Sequence, residues 1–135
     1  MIRYLADTNI LGYLARRSSA RLQSRVHAAM EAREVAISVI TRAETRYGQR
    51  LLNPDDRRHT FIDALLQEIP VLVWTPQAAD QYGDLAATLQ RKGQPIGTID
   101  TMIAAHALAE GLIVVTHNTK DFKRVPGLVI EDWTA

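Results

Sequence analysis

Short apolar, β-branched runs alternate along this chain with stretches whose apolar positions recur every three or four residues. Ile2–Ala6 reads as a buried strand, followed by helical material from Thr8 to about Ala15. Past the break at Ser18-Ser19-Ala20, Leu22, Val26, Ala29 and Met30 make one helical stripe. Val35–Ile40 is a second strand, and Thr41 to Leu52 a helix that stops at Asn53-Pro54, since proline disfavours helix in the residue before it. Phe61, Leu65 and Leu66 mark another helix, ending near Pro70. Val71–Trp74 is a third strand, and Thr75-Pro76 opens a helix running to the Lys92-Gly93 stop. Gln94–Gly97 is a loop, Thr98 can cap a helix closed by Glu110-Gly111, Leu112–Thr116 is a fourth strand, and Leu128–Glu131 a last short one.

Strands separated by helices imply a parallel sheet with helices on its faces. In such open sheets the functional crevice lies beyond the carboxyl ends of the strands. Four acids fall there. Asp7 sits one residue past the first strand, and Asp121 a few past the fourth. Glu44 points inward from the helix after the second strand, and Asp100 lies in the first turn of its helix. Carboxylates distant in sequence but gathered at one sheet edge suit hard divalent cations, which prefer oxygen ligands.

Each acid also has a structural explanation. Asp7 is placed to cap a helix. Thr41-Arg42-Ala43-Glu44 matches a capping box, which would tie Glu44 back to Thr41. Asp100 suits the positive end of a helix dipole, and Asp121 a turn. Four together are harder to explain so, and Glu44 has Tyr47 and Gly48, not a cation, at the next helical turn.

Composition narrows the classes. At 135 residues, 47% hydrophobic and 23% charged, the chain fits one globular domain that buries roughly two-thirds of its unfolded surface. No apolar stretch approaches the ~18 residues of a membrane span, and the amino terminus reaches an acid too soon for a signal peptide. The absence of cysteine excludes disulfides and thiolate–metal sites and suits the cytoplasm. The net charge of +1 hides a division: residues 1–60 hold 11 arginines against 6 acids, whereas residues 61–135 hold 5 basic residues against 9 acids. A basic half invites a polyanion or an acidic partner. Arg42, Arg46 and Arg50, spaced by four, form a ridge that could guide a phosphate backbone or simply face solvent.

His106 lies about 240° around its helix from Asp100, so the two do not share a face. His117 follows the fourth strand and is more simply structural. The aromatic residues show no base-stacking pattern, and the chain carries no P-loop, dinucleotide fingerprint, nucleophile elbow or His-Glu-x-x-His motif.

The segments Leu5-Ala6-Asp7-Thr8-Asn9-Ile10, Ile37–Glu44, Ile96–Ala107 and Leu112–Phe122 resemble, in order and spacing, those of PIN-domain ribonucleases, specifically VapC-type toxins of VapBC toxin–antitoxin pairs. Val125–Trp133 resembles the ending of the enterobacterial-type members. One departure is Asn118, where many PIN domains carry an acid; an amide can coordinate a cation but brings no charge, which bears on a second metal.

The resemblance implies a three-layer α/β/α sandwich around a parallel sheet of four or five strands, and Mg2+- or Mn2+-dependent endonucleolytic cleavage of RNA, with the anticodon stem-loop of initiator tRNA as target. It implies a VapB-type antitoxin that covers the acidic site and itself binds operator DNA, a toxin homodimer and a toxin–antitoxin hetero-oligomer. On this view Asp7 and Asp100 contact metal. Glu44 and Asp121 hold water, orient the nucleophile or ligate a second ion, and Thr8, Asn9, Thr116 and Asn118 keep the carboxylates aimed. Arg42 and Arg46 would contact RNA. The competing expectations are an inactive PIN-like scaffold acting through its antitoxin, and a structure-specific DNA nuclease.

Overall fold

A computed structural model describes all residues, 1–135. Five strands, β1 (Tyr4–Ala6), β2 (Val35–Ser38), β3 (Val71–Leu72), β4 (Ile113–Val115) and β5 (Ile130–Glu131), form one sheet in the order β3-β2-β1-β4-β5. Every neighbouring pair is parallel. The chain steps outward from β1 through β2 to β3, then returns to place β4 on the other side of β1. The sheet's switch point is therefore the crevice between β1 and β4, where ligands collect in folds of this kind.

Seven helices cover the sheet: α1 (Thr8–Arg16), α2 (Ala20–Glu31), α3 (Val39–Arg50), α4 (Arg58–Glu68), α5 (Pro76–Arg91), α6 (Thr98–Glu110) and the short α7 (Thr119–Phe122). Because successive strand residues face opposite sides, β1 contributes Tyr4 and Ala6 to one core and Leu5 to the other. The first core joins these to α1, α2 and α4 through Ile10, Leu14, Leu22, Val26 and Leu66. The second joins Leu5 and Val114 to α5 and α6 through Leu89 and Ile103. The result is the expected three-layer sandwich with five strands. Each fully buried Leu or Ile contributes about 1.5–3 kcal/mol.

Local chemistry sets the boundaries, and several differ from the sequence reading. The second strand stops at Ser38 rather than Ile40, because Ser38 Oγ accepts a hydrogen bond from Ile40 N at 3.0 Å and so caps α3. Thr41 is then inside the helix, so it makes no capping box with Glu44. Gly97, not Thr98, is the residue that precedes α6; Thr98 is already helical. The third strand pairs only over Val71–Leu72. Asp121 lies in a short helix and not in a bare turn. Gly111 closes α6 at φ 69, as the Glu110-Gly111 stop predicts.

Candidate active site

Asp7 is the most deeply placed of the acids. Its backbone N–H donates to Val115 O at 3.0 Å, so the residue leaves β1 still pinned to β4. Its side chain makes the helix cap that the sequence offered and a second contact besides. Oδ1 accepts from Ile10 N at 3.0 Å and caps α1, while Oδ2 accepts from Thr116 Oγ1 at 2.6 Å at the end of β4. The carboxylate is fully buried. Burial pushes its pKa from the ordinary 3.8 up to about 6; the two hydrogen bonds oppose the rise, and the charges of Asp100 and Glu44 add to it.

Thr116 starts a chain of polar contacts. Its hydroxyl, while donating to Asp7, accepts from Asn118 N at 2.8 Å. The Asn118 side-chain amide then donates to Asp100 Oδ2 at 3.2 Å and to Asp121 Oδ2 at 3.1 Å. One asparagine thus stands between two carboxylates from α6 and α7. Asp100 is half-buried, and its pKa too is raised, chiefly by burial and further by Asp121 and Glu44, against the Asn118 hydrogen bond.

Glu44 approaches from α3 and adds its negative charge to the field at both Asp7 and Asp100. No hydrogen bond engages its carboxylate. What fixes α3 is a feature the sequence reading missed: His106 Nδ1 lies 2.8 Å from Ser38 Oγ. This fully buried contact joins the start of the Glu44 helix to the middle of the Asp100 helix. His106 does turn away from Asp100, as helical spacing requires, and works behind the site instead. A Ser directly before the Glu44 helix was the available signal, but the β-branched Val39-Ile40 masked it.

The remaining acids set these four apart. Glu31, Glu34, Asp56, Asp63, Glu131 and Asp132 each face an Arg or His within 4.0 Å. Asp55, Glu68, Asp80, Asp84 and Glu110 are exposed to water. Asp7, Glu44, Asp100 and Asp121 alone are withdrawn from solvent without any cationic partner. Like charges so placed repel, and no three of them close on a single point as they stand. Asn118 holds Asp100 and Asp121 on either side of its amide. An all-oxygen donor set of this charge fits Mg2+ or Mn2+ and is ill suited to softer ions.

The other predicted residues divide. Thr116 and Asn118 support the carboxylates directly. Thr8 Oγ1 donates weakly to Thr41 Oγ1 at 3.4 Å, tying α1 to α3, and Asn9 is exposed on the rim of the groove between those helices. Arg42 and Arg46 turn onto α4: Arg42 donates to Leu66 O at 2.9 Å, and Arg46 pairs with Asp63 at 2.7 Å. Their guanidinium groups hold α3 against α4, which leaves Arg50 as the exposed member of that ridge.

A three-layer parallel fold with acids gathered at the β1/β4 switch point is the arrangement of a PIN domain, and the PIN domain family pattern matches residues 4–128. The chain belongs to the PIN-domain family. Its relatives narrow this to the VapC group: the tRNA(fMet)-specific endonuclease VapC of Shigella flexneri is 36% identical over 134 residues, covering 99% of this chain and 100% of that protein. The solved structure of DNA-bound VapBC from Salmonella typhimurium superposes with a TM-score of 0.90 at 34% identity, covering 98% of this chain and 99% of the other. VapBC2 from Rickettsia felis, bound to a promoter DNA fragment, gives 0.88 at 32% identity, with 98% and 99% covered.

Proposed function

We propose that this protein is the toxin of a VapBC-type pair, an endoribonuclease that needs Mg2+ or Mn2+ and acts on the anticodon stem-loop of initiator tRNA. The observation that carries the reading is the set of four acids withdrawn from water with no internal cation to neutralise them. A fold keeps so unfavourable a grouping only where something external completes it. Asp7 and Asp100 would hold the cation. When bound, it would screen the phosphate's charge and lower the pKa of the attacking water. Glu44, whose carboxylate makes no hydrogen bond, would receive the proton of that water. Asp121 holds a further water or the leaving side of the phosphodiester, and Asn118 fixes its distance from Asp100.

The relatives' names support the substrate, since the Shigella protein is a tRNA(fMet)-specific endonuclease. Their assemblies support the partner: a VapB-type antitoxin would offer the site an internalised cation, such as an arginine, and would supply the contact with operator DNA. The toxin would form a homodimer within that hetero-oligomer.

The decisive experiment incubates antitoxin-free protein with initiator tRNA, with Mg2+ or with chelator. Cleavage confined to the anticodon stem-loop, abolished by chelator and by Asp100→Asn, is expected. Metal-independent cleavage, or Asp100→Asn behaving as wild type, would falsify the assignment.

A further inference from the structure

We propose that Arg16, Arg17 and Arg57 form a phosphate-binding track along which the RNA backbone leaves the acid site; this rests on the ribonuclease reading above. A groove of about 240 Å³ runs between α1 and α3, with Thr8, Asn9 and Glu44 at one end and Arg16 and Arg58 at the other. Thr8 and Arg16 bound α1, so the groove carries a chain roughly 12 Å from the acids. It then opens into a wider depression of about 980 Å³, which shares Ala15, Arg16 and Arg58 and adds Arg17 and Arg57.

Charge is left over in that depression. Four arginines meet two acids, Asp55 and Asp56, and Asp56 is already taken by Arg58 at 2.8 Å. Arg16, Arg17 and Arg57 make no ion pair, and all three are exposed. Arg16 lies over the Tyr13 ring at 5.1 Å, which presents its guanidinium without neutralising it. The modest structural alternative for Arg16 and Arg17, complementing the carboxyl end of α1, accounts for neither Arg57 nor the continuity with Glu44. Arginine's planar fork matches phosphate oxygens, and three unpaired arginines of residues 1–60 stand together on one route to the acids.

The test measures binding of a fluorescent initiator-tRNA anticodon stem-loop in chelator, where no cleavage is needed, across a salt series. The variant is Arg16→Gln/Arg17→Asn/Arg57→Gln; Asn is chosen because residue 17 has φ 53, which Asn tolerates and Ala does not. Three lost phosphate contacts should lower the slope of log Kd against log salt by about 2 and weaken binding on the order of tenfold at 0.1 M salt. Arg91→Gln/Lys92→Gln, on the opposite helical layer, should leave both nearly unchanged. A dinucleotide, whose single phosphate would sit at the acids and cannot also span the roughly 12 Å to Arg16, should be cleaved equally by the triple variant and wild type. An unchanged slope in the triple variant overturns the track while the ribonuclease reading stands. Wild-type protein that binds no RNA overturns both. RNA binding retained while VapB-type antitoxin binding is lost would assign the arginines to the protein partner and overturn the proposal.

Discussion

Replacing Asp7 by Asn should make the metal-free protein more stable, and the gain should depend on pH in a defined way. Asp7 titrates at about 6 in the folded chain against an ordinary 3.8. The folded state therefore binds the proton more tightly than the unfolded state. Stability is highest with the acid protonated, and it is lost as pH rises from about 4 through about 6. A difference of this size corresponds to about 3 kcal/mol once the carboxylate is ionised in both states. Asn removes that penalty and keeps the cap, because its carbonyl oxygen can still accept from Ile10 N. The Asn amide must donate toward Thr116 Oγ1, which already accepts from Asn118 N, and the hydroxyl proton of Thr116 loses its acceptor. That loss is worth about 1 kcal/mol.

The net expectation for Asp7→Asn is a gain of about 2 kcal/mol at pH 7, some 5–10 °C in Tm for a chain of this size. Relative to its value at pH 7, the gain should shrink steadily toward pH 4. Urea and thermal unfolding at pH 4, 5, 6 and 7 in chelator would follow it. Adding Mg2+ or Mn2+ should then stabilise wild type, as any ligand specific to the native state does, but not the variant. A variant no more stable than wild type at pH 7, or a difference flat across pH, would show that the buried carboxylate carries no such strain.

Three further outcomes follow from the same geometry. Glu44→Gln should lower the rate of RNA cleavage by roughly 10²–10⁴-fold, the range for loss of a general base, with no loss of thermal stability; a rate within tenfold of wild type would exclude Glu44 as proton acceptor. Asn118→Asp should place a third charge between Asp100 and Asp121, lowering Tm in chelator at pH 7 and tightening Mn2+ binding by calorimetry; unchanged values for both would show that the amide does not separate those acids. Ser38→Ala should cost about 1–3 kcal/mol in urea unfolding, since it removes the cap of α3 and the partner of buried His106 together. A loss below about 0.5 kcal/mol, the scatter of surface substitutions, would mean that the contact does not tie α3 to α6.

The layers and sheet were legible in the sequence because burial on both faces of a parallel strand leaves a plain mark. Leu5, Val35–Ile37 and Val114-Val115 are runs that no exposed segment would carry. The positions of Asp7 and Asp100 followed from the strand and helix ends they adjoin. What periodicity could not resolve was the strand-to-helix passage at Ser38, since Val39 and Ile40 favour a strand by their side chains while Ser38 favours a helix by its hydrogen bond. Nor could it distinguish one arginine from another. Arg42 and Arg46 stand on a regular ridge and looked free, yet they face Leu66 O and Asp63. Arg16, Arg17 and Arg57 share no periodicity, and only the turn of the chain from α1 to α4 brings them together. Local pattern reports which face a residue occupies; pairing across elements is a property of the fold.

That distinction also explains why the acids could be suspected but not weighed from the sequence. Asp7 is a helix cap and more, because a carboxylate has two oxygens and the structure uses one for Ile10 N and the other for Thr116. A cap alone would need neither burial nor neighbouring charge, and Asn or Ser would serve as well. The chain instead holds an ionisable group in the dry end of its sheet and gives it only neutral donors, the Thr116 hydroxyl and the Ile10 backbone N–H, while the neutral Asn118 amide serves Asp100 and Asp121. A lysine or arginine in the place of Asn118 would have neutralised the cluster and stabilised the fold. The chain supplies no such cation, and so the same residues that leave these acids strained leave their charge uncompensated.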